Sequence, residues 1–399
     1  MRNNNNKIDI LIILLLIFAP SIRLIVPGLN TLILFAILPT AMAYYLIVNR
    51  FRFGNKPLAI YVGLLFWTLL TCFTSTNIAH SFGEFRALIG GGIGSIIAYY
   101  LCSKKPSNSY WIFLGYILLL VSTLYYLHTQ NLLVALDSDT ERLEDDLVNA
   151  NDLAYYLFYV IIGWTIICRN KKLNVILSAL GNMLIIGTLL FLSIITASRQ
   201  ILIVVLPFFI YSIYFQYLQG RSSFRKFAVT AVCCIAAFYI YSYFMDNMFE
   251  GSFLEKRMEI DLEDDTRSAL VEDAINIGAR HPIFGIGPGN MIFYSNDGGF
   301  SHNSYLELFV SSGIFGTILF VWMIMAFFKI QYRRYRETRN PIYNYLIITM
   351  ITWALYNNLY VFYSGIWLIT FFFVLCGFSD AIYRQDCEQI RANLQLSTK

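Results

Sequence analysis

The residues best suited to chemistry in this chain lie between His281 and Gly316. The stretch reads HPIFGIGPGN, then a short polar run, then SHNSYLELFVSSGIFG. His302 stands at the mouth of a run that stays apolar from Ser304 to about Ile330, longer than the about 20 residues needed to cross a bilayer core. That position puts an imidazole at a membrane surface, and an unperturbed pKa of about 6.5 lets such a ring exchange a proton near neutral pH. Gly285, Gly287 and Gly289 open the backbone to angles other residues avoid, as a loop that closes around a ligand would need. Glu307 falls about one and a half turns beyond His302, inside the apolar run, where an ionised carboxylate needs a partner. Arg199 is one candidate partner; a protonated or water-facing glutamate is the other reading.

Two arginines extend the set. Arg199 interrupts LSIITASRQILIVVL, an otherwise nearly apolar run, where a charge is costly unless it reaches water or a partner. The chain is expected to turn there between two helices, with Ser198 and Arg199 either at a simple polar tip or facing a ligand. Arg267, in DDTRSALVEDAI, opens a segment with Leu270, Val271, Ala274 and Ile275 expected along one side of an amphipathic helix. A surface ion pair with Asp264 or Asp265 is the alternative use of Arg267. Those two adjacent carboxylates lack a neighbouring histidine or third acid, so no metal is expected, and no cofactor.

From His302 the sequence runs His-Asn, nine residues, Gly313, two residues, Gly316. This spacing resembles the signature of the bacterial O-antigen ligase and polysaccharide polymerase superfamily, H-[NSQ]-x9-G-x-x-[GTY], and the preceding HPIFGIGPGN resembles the same family's loop. The resemblance is best over about residues 149–330 and fades towards both ends. It implies a polytopic membrane glycosyltransferase acting on glycans carried by undecaprenyl diphosphate. It also places an arginine at Arg199 and another at Arg267, and a similar Asn-x-Asn entry at Asn149 and Asn151. On this resemblance His302, Arg199 and Arg267 are the expected catalytic residues, with Asn303, Glu307, Gly285, Gly287 and Gly289 as substrate contacts. His302 would take the proton of an acceptor hydroxyl, and the arginines would neutralise the departing diphosphate. The acceptor stays open between another glycan repeat unit (a polymerase), lipid A core (a ligase) and protein; a flippase and a chain-length regulator are possible contacts. A non-enzymatic flippase or exporter is the alternative of a different class. It would need charges through the bundle interior and repeated interrupted helices, neither of which the sequence displays.

Composition agrees with a membrane chain. Of 399 residues, 57% are hydrophobic, 17% aromatic and only 14% charged, against about 25% charged in a soluble domain. The expected fold is all-α, a polytopic bundle of about twelve transmembrane helices in one membrane domain, with no nucleic-acid partner. Spans are expected at about 8–26, 30–48, 57–76, 86–102, 110–127, 152–168, 173–196, 200–218, 227–245, 304–330, 342–358 and 365–382. The first resembles an uncleaved signal anchor. Most of the 29 basic residues then fall in alternate loops, including Arg50 to Lys56, Lys104 and Lys105, Arg169 to Lys172, and Lys329 to Arg339. By the positive-inside rule both termini are expected in the cytoplasm, including a tail over 383–399. The polar loops at about 128–151 and 246–303 are then extracytoplasmic. The first of these is acidic from Asp137 to Asp146 and ends in NANDLAYYL, where Asn149, Asn151 and Asp152 are positioned to cap the next helix. The seven cysteines lie in or beside apolar runs or on the tail, so no disulfide framework is implied.

Overall fold

The structure, a computed structural model, describes residues 2–50, 53–130, 150–196, 198–219, 266–359 and 365–397, with isolated positions 239, 242, 243 and 361. Its helices are α1 (Arg2–Ile22), α2 (Pro27–Leu32), α3 (Leu38–Val48), α4 (Lys56–Phe73), α5 (Ile78–Lys104), α6 (Pro106–Thr129), α7 (Ala150–Lys171), α8 (Val175–Ile195), α9 (Leu206–Tyr217), α10 (Thr266–Arg280), α11 (Ser304–Thr338), α12 (Pro341–Tyr356) and α13 (Ile366–Ser397). No strand occurs among the described residues. Eight of the described helical stretches are long and apolar enough to cross a membrane: Gly28–Val48, α4, α5, α6, Asn151–Lys171, α8, α11 and Ile366–Gln395. Ile201–Tyr217 is apolar but shorter. The all-helical polytopic architecture is thus as expected, while the span expected at 227–245 lies almost wholly outside the described residues.

Two π-helical turns share a cause. Ile33–Ile37 and Ile201–Val205 each close with an N–H reaching five residues back, Leu38 to the Ile33 carbonyl and Leu206 to that of Ile201. Each is followed two residues on by a proline, Pro39 or Pro207. A proline has no N–H to give to the carbonyl four residues back, and its ring crowds that carbonyl, so widening the preceding turn relieves both faults.

The described chain divides into two units, one of residues 1–112 and 262–399, the other of residues 113–261. In the first, α5 and α13 pair closely along a glycine seam. A Cβ on Gly91 would stand 2.9 Å from Ile369 Cγ2, and one on Gly94 2.6 Å from Thr370 Oγ1. Small residues let two membrane helices approach to backbone distance, where dispersion can hold them without help from water. One end of this unit is fastened by a polar clasp. Arg334 on α11, only 7% exposed, donates from Nη2 to Asp380 Oδ1 on α13 at 2.5 Å and from Nη1 to Ser379 Oγ at 2.7 Å. Asp380 also accepts from Tyr99 Oη at 2.7 Å and from Asn55 Nδ2. Buried opposite charges hold only when their remaining donors and acceptors are satisfied, as Asp380's largely are here. Arg334 was expected in a basic loop. Instead α11 runs on to Thr338 and turns this side chain inward.

In the second unit, α7 is mostly buried, whereas α8 exposes Val175, Ile176, Met183 and Leu184. Side-chain amides tie it together: Gln216 Nε2 donates to Thr165 Oγ1 at 2.8 Å, and Asn182 Nδ2 donates to Gln216 Oε1 at 3.0 Å. Asn151 and Asp152 lie inside α7 rather than capping it, since the helix already begins at Ala150; Asn149 and the acidic run Asp137–Asp146 lie outside the described residues.

Candidate active site

The site is assembled from α10, the glycine loop and the first turns of α11. Leu270, Ala274 and Ile277 on α10 form one small core with Ile286, Met291 and Val310, against which Leu306 packs. The buried stripe therefore follows positions i, i+4 and i+7. Val271 is only half-buried and Ile275 is 49% exposed, a correction to the expected face that follows from the helical period of about 3.6 residues. Arg267 is half-buried, one turn ahead of Leu270. Leu270 in turn lies against Gly299, where a Cβ would come within 3.1 Å of Leu270 Cδ1. This contact brings the start of α10 to the segment that leads into His302. Asp264 and Asp265 lie outside the described residues.

The glycine loop docks into a break in α11. Gly313 has φ 66° and ψ −170°, so the helix is interrupted there, nine residues into its length. The freed carbonyls of Val310 and Ser311 accept from the N–H groups of Ile286 at 2.8 Å and Gly287 at 3.0 Å. The Ser312 carbonyl accepts from Trp67 Nε1 on α4 at 2.8 Å. On the far side of the break the Ile314 N–H donates to the Pro282 carbonyl at 2.8 Å. Three carbonyls and one N–H released by the kink thus find partners, as a buried break requires. The approach is close enough to exclude a side chain: a Cβ on Gly313 would lie 2.0 Å from the Ile283 oxygen, and one on Gly285 2.4 Å from the Val310 oxygen. Gly285, Gly287 and Gly289 all take positive φ, at 68°, 91° and 74°.

The other flank of the loop rests on the α4–α5 turn, a contact that sequence reasoning missed. Asn290, fully buried, donates from Nδ2 to Ser75 Oγ at 2.5 Å, to Ser81 Oγ at 3.1 Å and to the Ile286 carbonyl at 2.6 Å. Ser81 Oγ donates to the Pro288 carbonyl at 3.2 Å, and Thr76 N–H to that of Ile286 at 3.4 Å. His80, to which sequence reasoning gave no role, sets Nε2 at 3.2 Å from the Gly289 oxygen and its ring edge-on to Phe293. The only hint in the sequence was a cluster of small polar residues, Thr74 to Asn77, between two apolar runs. His281 contributes backbone to the loop, its carbonyl accepting from Gly285 N–H at 2.9 Å.

His302 is half-buried and has φ 52°, one of few residues other than glycine in the left-handed region. It is bracketed by two fixed neighbours. Asn303 is the N-cap of α11, its Oδ1 accepting from the N–H groups of Tyr305 at 2.9 Å and Leu306 at 3.2 Å. Ser301, buried, donates to Glu307 Oε2 from Oγ at 3.0 Å and from its N–H at 3.3 Å. Glu307 is 4% exposed, which does not fit a water-facing carboxylate, and Ser301 is the partner it holds here. The start of α11 is further tied to the end of α12, Ser304 N–H donating to the Asn357 carbonyl and Tyr305 Oη to that of Ala354, both at 2.8 Å.

The first unit therefore gathers Arg267, Gly285, Gly287, Gly289, His302, Asn303 and Glu307 on connected segments. Arg199 belongs to the second unit, half-buried between α8 and the π-helical turn, next to Gln200, whose Oε1 accepts from Tyr155 Oη at 2.8 Å. Chemically the first unit offers an imidazole at a helix mouth and, at Arg267, a guanidinium of a type suited to phosphate oxygens.

These features define a multi-pass helical membrane protein with a loop-and-broken-helix site. Residues 183–321 match the family model described as O-antigen ligase, in agreement with the resemblance to the O-antigen ligase and polymerase superfamily carried by His302 to Gly316. The matched region contains every catalytic and substrate-contact residue expected from the sequence, from Arg199 to Glu307. No curated protein matches the chain.

Proposed function

We propose that this protein polymerises surface-polysaccharide repeat units, transferring a glycan from undecaprenyl diphosphate to an acceptor hydroxyl at the outer face of the bacterial cytoplasmic membrane. The observation that carries this reading is the H-N-x9-G-x-x-G segment inside the O-antigen ligase match, in which the glycine loop docks at the Gly313 break. The match supports glycan transfer in surface-polysaccharide synthesis; the donor, the acceptor and the roles below are our reading.

His302 acts as the general base. It removes the proton from the acceptor hydroxyl as that oxygen attacks the anomeric carbon, and the bond from that carbon to the diphosphate oxygen breaks. Undecaprenyl diphosphate leaves with the bonding electrons. Arg199 and Arg267 neutralise its growing charge, so no metal ion is required; a guanidinium fork matches phosphate oxygens in pairs. General-base catalysis contributes about 10²- to 10⁴-fold, so His302→Ala should cut transfer by at least that lower factor while membrane abundance is kept. His281→Ala should transfer normally. The active face is extracytoplasmic because the basic loops alternate with it.

Attachment of finished glycan to lipid A core is the second reading, favoured by the description of the matching family. Deletion of the gene followed by gel analysis of surface glycan separates these readings. Loss of long chains with a single attached repeat indicates the polymerase, and loss of all attachment with lipid-linked polymer accumulating indicates the ligase. Full-length attached glycan from His302→Ala at matched abundance would remove the base assignment, and an exporter that breaks no bonds would then be the better reading.

A further inference from the structure

We infer that Glu307 is a positioning residue whose carboxylate, by gripping Ser301, holds the intervening His302 backbone in its left-handed conformation. The inference deepens the reading of His302 as base and rests on it.

Three observations converge. His302 has φ 52°, a conformation that a histidine leaves unless its surroundings impose it. The residue before it, Ser301, places both its N–H and its Oγ on one oxygen of Glu307, at 3.3 Å and 3.0 Å. The residue after it, Asn303, is committed to the α11 N-terminus through two N–H bonds to Oδ1. A second link joins the flanks directly, Ser301 Oγ lying 3.3 Å from the Asn303 carbonyl and 3.4 Å from its N–H. His302 is thus the single residue of a closed bracket with Glu307 at its base. Glu307 is buried at 4% exposure, and the partner it grips belongs to the chain itself. Within this bracket the carboxyl group faces Ser301 of its own chain. Its contribution is an acceptor oxygen at a fixed point.

The distinction is testable because glutamine keeps that oxygen and alanine does not. Purified full-length Glu307→Gln should retain most transfer, whereas Glu307→Ala should lose about 10²-fold, the scale of misplacing a reacting group by about an ångström. The loss should fall on kcat with KM kept, because the grip touches the base and not the bound substrate. Introduced into His302→Ala, Glu307→Ala should cost nothing more, since there is no imidazole left to position. Amide hydrogen exchange at Ser301 should be faster in Glu307→Ala and unchanged in Glu307→Gln. If Glu307→Ala fails to reach the membrane, Ser301→Ala serves in its place, with one of the two donors gone and an intermediate loss of kcat expected. Equal losses in Glu307→Gln and Glu307→Ala would overturn the inference by making the charge itself essential. A further loss in the His302→Ala background would overturn it too. Undiminished transfer by His302→Ala alone would instead remove the base reading on which the inference rests, while the exchange measurement still reads the bracket by itself.

Discussion

Replacing Gly313 by alanine tests whether the broken helix and the docked loop are one device. The backbone at φ 66° and ψ −170° lies where only glycine is at ease, and forcing another residue there costs about 1–3 kcal/mol. The new methyl would also sit 2.0 Å from the Ile283 oxygen and 2.4 Å from the Ile283 carbonyl carbon, both backbone atoms that cannot swing aside as a side chain would. Relief requires the loop to lift, which gives up the bonds from Ile286, Gly287 and Ile314. At about 0.5–1.5 kcal/mol each, those bonds and the strain together weaken docking by about 3 kcal/mol or more. That shifts the ratio of docked to lifted loop by about 10². Helix α11 can close its own hydrogen bonds once the loop is gone, so insertion into the membrane should survive. Limited proteolysis of the detergent-purified variant should therefore cut between residues 281 and 300 far faster than in the parent, with transfer falling in parallel at unchanged membrane abundance. Gly298→Ala is the matched control. Gly298 also has positive φ, 64°, but a Cβ there would meet nothing closer than 3.9 Å, so it incurs strain without collision. Proteolysis and glycan profiles of Gly313→Ala that match those of Gly298→Ala would refute the coupling of loop to helix.

Two further outcomes follow from charge. Single cysteines placed at Ile275 and near residue 140 should react with an impermeant thiol reagent in spheroplasts, and one at the exposed Arg336 should not; labelling at 336 alone would invert the orientation. Purified protein should transfer glycan in excess chelator, yet Arg199→Lys should lose most activity because an ammonium lacks the paired fork; activity abolished by chelator and restored by magnesium would count against neutralisation by arginine.

Most of the helical order was legible because membrane helices announce themselves as long apolar runs, and a run such as that of α8 has few other ways to fold. Where helices end was less legible. Arg334 looks like a loop charge when counted along the chain, and Asp380 falls near the end of the span expected at 365–382, yet they pair across 46 residues in the interior of a unit, and pairing at such a separation leaves no local mark. The π-helical turns before Pro39 and Pro207 were equally hidden, since proline signals a fault in a helix without saying how the preceding turn absorbs it.

The site shows the same division between type and arrangement. His302, Gly313 and Gly316 stood out through the resemblance of their spacing to the family signature, but that resemblance does not say why a helix should carry glycine ten residues after its cap, Asn303. The structure supplies the reason: Gly313 is where α11 opens its carbonyls to the loop from Pro282 to Gly287, so the number of residues from histidine to glycine measures the distance from the imidazole to that dock. An insertion between Glu307 and Gly313 would rotate the first segment of α11 by about 100° per residue and carry Ser301, His302 and Glu307 away together. The contacts that hold the loop from its other flank join Asn290 to Ser75 and Ser81, each more than 200 residues away from it in sequence, and all three are of types common in any turn. Their role follows only from the folded contact, where one buried amide joins the two hydroxyls to the Ile286 carbonyl and so fixes the flank opposite the one that α11 holds.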